Sequence, residues 1–172
     1  MISNGLSFRL QFFVGALICA GLMGYALYSE FHLHLEPCPL CIFQRIAMIA
    51  LGVVFLLGSL LAPGSVGGRR AWAVLAIMTA LAGAAIACRH LWLQSLPADQ
   101  VPACGPPLSF MMNWPFEKML TAVFKGSGEC AEVNWRFLGL AMPAWTLISF
   151  VTLGAWAAFA GFRRTRVPPP AI

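Results

Sequence analysis

The sequence predicts an all-α membrane protein, a four-transmembrane-helix bundle with two longer loops on the non-cytoplasmic side, the second carrying a short interfacial amphipathic helix. Of 172 residues, 60% are hydrophobic and 10% charged, with a mean hydropathy of +0.80. A soluble domain carries about 25% charged residues, and a chain this short cannot enclose so much apolar surface in its own core. Four stretches carry no charge at all: 10–29 (20 residues), 46–68 (23), 71–88 (18) and 137–162 (26). Each reaches the roughly 18–20 residues that a helix needs to cross a hydrocarbon core of about 30 Å. The same composition excludes a disordered chain, and the length suits a single unit over residues 1–172.

The first stretch is longer than the apolar region of about 7–15 residues in a cleaved signal peptide, and no small-x-small site closes it, so a retained helix is expected. The expected spans are about 10–29, 46–62, 71–90 and 142–162, with outer loops at about 30–45 and 91–141. The link 63–68, Pro-Gly-Ser-Val-Gly-Gly, reads as a tight turn without function, and the proline-rich end 167–172 as a short disordered tail. In the second loop, Phe116, Met119, Leu120, Val123 and Phe124 repeat at helical spacing after Asn113-Trp114-Pro115. With Met111, Met112 and Trp114 they predict a helix lying on the membrane surface.

Four spans put both termini on one side. Arg9, Arg69, Arg70, Arg163, Arg164 and Arg166 fall there with no acidic residue. Arg45, Arg89, Lys118, Lys125 and Arg136 share the other side with all six acids. The positive-inside rule therefore places the termini in the cytoplasm. The net charge of +5 is a topology signal; no basic stripe suited to nucleic acid is present.

Of six cysteines, Cys19 and Cys88 lie in apolar stretches and are expected to be inert packing, while Cys38, Cys41, Cys104 and Cys130 lie in the outer segments. Disulfides persist outside the cytoplasm, and four cysteines allow three pairings. Pro37-Cys38-Pro39-Leu40-Cys41 leads straight into the second span, which sets Cys41 near a helix N-terminus. The helix dipole, the C-x-x-C spacing and Arg45 one turn along the helix favour a thiolate at Cys41, the expected nucleophile. The same cysteines, with His32 and His34, could instead ligate zinc, although Cys104 and Cys130 lack knuckle spacing; or they could form permanent disulfides, although C-x-x-C closes a very small loop.

The segments 37–45 (Pro-Cys-Pro-Leu-Cys-Ile-Phe-Gln-Arg), 89–94 (Arg-His-Leu-Trp-Leu-Gln), Cys104, Cys130 and 134–143 (Asn-Trp-Arg-Phe-Leu-Gly-Leu-Ala-Met-Pro) occur in an order and at spacings that span nearly the whole chain. They closely resemble the DsbB family, the disulfide bond formation protein B family. The resemblance implies a bacterial inner-membrane enzyme, termini cytoplasmic and active loops periplasmic, that reoxidises a DsbA-like periplasmic thiol oxidase and passes two electrons to the membrane quinone pool, ubiquinone or menaquinone. It implies that Cys104 and Cys130 form the disulfide attacked by the partner, that Cys130 then attacks Cys38, and that Cys41 is released beside the quinone. It also implies quinone contacts from Arg45, His90, Gln94 and Met142, with Trp135 near the pocket, and no metal. The segment 102–107 around Cys104 is the expected recognition segment.

Gln44 departs from the family pattern, where this position is often acidic. Cys88 lies two residues before His90 but is expected to be a bystander. The rival classes are a membrane scaffold with permanent disulfides and a cysteine-ligated metal-binding membrane protein; neither predicts thiols that change redox state with a quinone.

Overall fold

A computed structural model describes residues 7–34, 37–61, 64–97, 99–101, 110, 113–115, 117–118, 121, 128–131, 133 and 135–163. Its long helices are α1 (Phe8–Leu33), α2 (Pro39–Leu61) and α3 (Val66–Gln94); a single turn, α4 (Gly128–Ala131), and a two-strand hairpin, β1 (Arg136–Phe137) with β2 (Leu140–Ala141), precede α5 (Met142–Phe162). The four long helices are each long and apolar enough to cross a membrane. The protein is a multi-pass, four-helix membrane protein.

Local chemistry sets the helix ends. Ser7 caps α1 by accepting from the Leu10 N–H at 3.3 Å, and Ser65 caps α3 by accepting from the Gly68 N–H at 3.1 Å. At the far end of α1, His34 turns into the left-handed region (φ 53°) and its N–H reaches the Ser29 carbonyl. Pro39 opens α2 and Pro143 stands second in α5, where a missing N–H costs nothing.

The helices extend beyond the expected spans where the polar ends begin. α1 continues to Leu33, α2 starts at Pro39 rather than about residue 46, and α3 runs to Gln94, so Cys41, His90 and Gln94 sit on helical turns beyond the apolar stretches. Ahead of α5, the apolar run that begins at Phe137 is first a hairpin. Arg136 pairs with Ala141 and Phe137 with Leu140 across Leu138 (φ 50°) and Gly139 (φ 81°), two successive left-handed residues as a tight hairpin turn demands.

Small residues let the helices approach closely. Ala73, Ala76 and Ala80 of α3 are buried, as are Ala157 and Ala160 of α5. A methyl at Gly161 would lie 2.2 Å from the Ala73 Cβ, and one at Gly83 would lie 2.3 Å from the Phe150 ring. Between α1 and α2, Phe12 and Phe55 meet edge to face at 5.1 Å in the hollows left by Gly58 and Gly15. Trp156 donates to the Gln11 carbonyl at 2.9 Å and joins α5 to α1. Membrane-facing hydroxyls are satisfied within their own helices, as with Thr79 on Leu75 and Thr152 on Ile148. Outward residues are large and apolar, including Leu17, Leu60, Met78, Leu81 and Val151.

Of the second-loop helix, Glu117, Lys118 and Thr121 are helical, and the Thr121 hydroxyl donates to the Glu117 carbonyl. Phe116, Met119, Leu120, Val123 and Phe124, with Met111, Met112, the segment 102–107 and the tail 167–172, lie outside the described residues.

Adding a methyl at Gly83 should overpack the α3–α5 seam, at a cost of about 1–3 kcal/mol. Gly83→Ala is therefore expected to lower the thermal midpoint of the detergent-purified protein. Gly21→Ala, where nothing lies within 4 Å, should leave it unchanged or raise it.

Candidate active site

Cys38 is the N-cap of α2: its carbonyl accepts the first helical bond from Ile42 at 3.2 Å, and its Sγ accepts from the Cys41 N–H at 3.3 Å. Pro39 fixes the first helical residue, and Cys41 follows two residues on, which brings the two sulfurs to 3.0 Å as a free dithiol. Cys38 is 9% exposed and Cys130 only 1%; both pack with Leu40 and Leu93 in a small apolar cluster apart from the main core.

Above the pair sits His90, on the penultimate turn of α3 and 3% exposed. Its Nε2 lies 3.0 Å from the Cys130 carbonyl and 3.8 Å from Cys38 Sγ, while its Nδ1 lies 3.0 Å from Gln44 Nε2. A carbonyl can only accept, so Nε2 carries the proton, and in the neutral ring Nδ1 accepts from the Gln44 amide. Gln44 is itself buried. Two thiols therefore hydrogen-bond Cys38, that of Cys130 foremost and that of Cys41, and together with burial they push its pKa up from the ordinary thiol range.

The thiols face a cavity of about 520 Å³ lined by residues of α1, α2, α3, α5 and the β1–β2 hairpin. Its wall is largely apolar, with Leu22, Met23, Met48, Met142, Pro143 and Trp145; Cys38, Cys41, Gln44, Arg45, His90 and Gln94 are among its polar residues, with Ser29, Thr146 and Ser149. Arg45 is ion-paired with Glu30 of α1 and also donates to the Ala26 carbonyl at 3.2 Å. Gln94 Oε1 is buried with no hydrogen-bond partner among the described residues.

All four residues expected at a quinone, Arg45, His90, Gln94 and Met142, line this one cavity, as does Trp135. Cys38 and Cys41 line it, and Cys130 packs in one buried cluster with Cys38; Cys104 lies outside the described residues. Sequence reasoning missed Glu30 and the role of Gln44. Cys19 is buried in the core as expected, but Cys88 is not core packing: it is exposed on α3. The ligand atoms of Cys38, Cys41 and His90 lie within 4.8 Å of one another, the metal-sized grouping found among the described residues, and His32 and His34 stand outside it. A proton-bearing Nε2 facing a carbonyl is not a metal ligand in this arrangement.

The family model for disulfide bond formation protein DsbB matches residues 8–160. The chain belongs to the DsbB family. It is 53% identical over 158 residues to disulfide bond formation protein B of Xanthomonas campestris pv. campestris (strain 8004), covering 91% of each chain. The protein of the same name in Hahella chejuensis is 52% identical over 159 residues, 92% of this chain and 96% of that one. The one in Nitrosococcus oceani is 53% identical over 150 residues, 87% and 88%. Membership of this family makes the chain a disulfide-forming oxidoreductase.

A raised Cys38 pKa keeps that sulfur protonated, hence a poor nucleophile, at pH values where an ordinary thiol of pKa about 8.5 is half ionised. Iodoacetamide should label Cys41 of the reduced protein at least about tenfold faster than Cys38 at about pH 8. Peptide mass spectrometry of timed samples reads the two rates, and equal rates would contradict the arrangement.

Proposed function

We propose that this protein is a thiol:quinone oxidoreductase of the bacterial inner membrane that reoxidises a DsbA-like periplasmic dithiol oxidase and discharges the electrons into the quinone pool. The observation that carries the reading is the joint lining of one apolar cavity by the Cys38–Cys41 pair and by Arg45 and Gln94, with Cys130 packed in the same buried cluster as Cys38.

The exchange steps balance sulfur by sulfur. The partner's thiolate attacks Cys104 of a Cys104–Cys130 disulfide, forming a mixed disulfide and releasing Cys130 as a thiolate. Cys130 attacks Cys38 of the Cys38–Cys41 disulfide; the Cys130–Cys38 bond forms, the Cys38–Cys41 bond breaks, and Cys41 leaves as a thiolate. The partner's second thiol then takes the sulfur of the partner's own mixed disulfide, so the partner departs oxidised and Cys104 is freed. Cys104 finally attacks Cys130, restoring their disulfide and leaving Cys38 and Cys41 reduced. Cys38, buried and held by two thiol neighbours, is the electrophilic sulfur that Cys130 reaches; Cys41, at the cavity wall, is the leaving group.

The cavity fits a quinone ring. Its volume suits one aromatic head group within the range of small-molecule sites, its wall is mostly apolar, and it holds an orphaned amide oxygen. Arg45 and the Gln94 amide would hold the ring oxygens, with Met142 against its face. When bound, a quinone supplies the two-electron, two-proton acceptor that returns Cys38 and Cys41 to a disulfide. The Glu30 carboxylate keeps the Arg45 guanidinium aimed at that wall. The active loops are periplasmic and the termini cytoplasmic in this reading, supported by the arginine distribution.

Purified protein mixed with a reduced DsbA-type oxidase and a short-chain ubiquinone or menaquinone should bleach one quinone per dithiol oxidised. Cys41→Ser is expected to cut that rate by about a thousandfold or more. No bleaching by the folded wild-type protein would overturn the assignment. Arg45→Met should raise KM for quinone while leaving mixed-disulfide formation with the partner unchanged, which stopped-flow and acid-quench assays separate.

A further inference from the structure

Both ring nitrogens of His90 are engaged by protein groups, so the imidazole holds something in place. The group at Nε2 is the backbone carbonyl of Cys130, the residue whose sulfur packs against Cys38, and the group at Nδ1 is the buried side chain of Gln44. We infer that Gln44 and His90 are positioning residues that clamp the Cys130 backbone, and through it set the Cys130 sulfur against Cys38 for the exchange between the two loops. The inference rests on the thiol-exchange reading of the site.

The chemistry follows from the tautomer. The Cys130 carbonyl needs a proton on Nε2, and a neutral imidazole that spends its proton there has only a lone pair at Nδ1. A neutral amide at position 44 can present its NH₂ to that lone pair, so the chain Gln44→His90→Cys130 is satisfied with no net charge. A carboxylate in the same place accepts but cannot donate. It would draw the proton of a neutral ring to Nδ1 and turn the Nε2 lone pair on the Cys130 carbonyl. With a carboxylate, only a doubly protonated ring can serve both partners. Gln44 thus makes docking of Cys130 independent of the ionisation of the ring. The titratable groups facing His90 are Cys38 ahead of α2, Cys41 on α2 and Cys130 on α4; Arg45 of α2 lines the same cavity and is ion-paired with Glu30 of α1. α5 adds to that wall uncharged residues, Met142, Thr146 and Ser149.

The test uses the full-length protein in a Cys104→Ser background, so that Cys130 can pair only within the site. Equilibrated in a glutathione buffer and acid-quenched, its singly oxidised form includes the Cys38–Cys41 and Cys38–Cys130 isomers, which mass spectrometry counts separately from any Cys41–Cys130 isomer. Both isomers hold one disulfide, so their ratio is independent of the buffer's redox poise. Gln44→Glu should match the parent ratio at low pH and fall below it as pH rises. Gln44→Met should lower the Cys38–Cys130 share about two- to tenfold at every pH, the effect of one lost hydrogen bond. His90→Ala should lower it at every pH as well. Parent-like ratios in both Gln44 variants across the pH range would overturn the clamp. A pH-dependent fall in Gln44→Glu would uphold it even in a protein that reduces no quinone, so failure of the electron-acceptor reading is separately visible.

Discussion

A polar ring buried at the end of an apolar bundle must find a partner for each nitrogen, and much of the site's geometry follows from how His90 meets that requirement. Its partners come from two other segments: Gln44 on α2 and the carbonyl of Cys130 on α4. The bonds cost little once made, because both ends are shielded from water, and each would be expensive to leave unmade. The result is a fixed point where α2, α3 and the segment bearing Cys130 meet beside the Cys38–Cys41 pair.

The bundle below gives that fixed point its rigidity. Without a hydrophobic force between helices in lipid, close backbone approach must come from shape, and the alanine and glycine seam of α3 and α5 provides it. The phenylalanine rings that fill the glycine hollows between α1 and α2 do the same on the other side. At the cysteine-bearing end the helices part around the cavity. There Arg45 is held by Glu30, a pairing that gives a cation at the edge of a hydrocarbon segment its counter-charge.

The fold was legible because membrane helices announce themselves in one dimension: four uncharged stretches between arginines and acids are enough. Cys38, Cys41 and Arg45 were legible for the same reason, since a proline-flanked C-x-x-C at the start of a helix is a local pattern. His90, Gln94 and Met142 came through family resemblance, and nothing local marked them. What stayed hidden depends on packing between distant positions. Gln44 reads as a mere departure from an acidic pattern until its amide is seen 3.0 Å from a histidine 46 residues away. Glu30 reads as a loop acid until α1 is seen to continue past it and turn it onto Arg45. The hairpin before α5 was masked by its own hydrophobicity, because Phe137, Leu138 and Leu140 extend the apolar run and only Gly139 hints at the turn. Cys88 was misjudged because an apolar stretch says nothing about which of its faces looks outward.

The central claim is spatial: Cys130 sits against Cys38 and within reach of it. The most direct measurement is disulfide trapping in full-length protein carrying Cys41→Ser and Cys104→Ser, which removes both alternative partners from the site. Brief oxidation with diamide followed by peptide mapping should give an intramolecular Cys38–Cys130 bond in most molecules within seconds. If both thiols instead remain free, or Cys130 is found joined to another chain, the arrangement described is not the one the protein adopts.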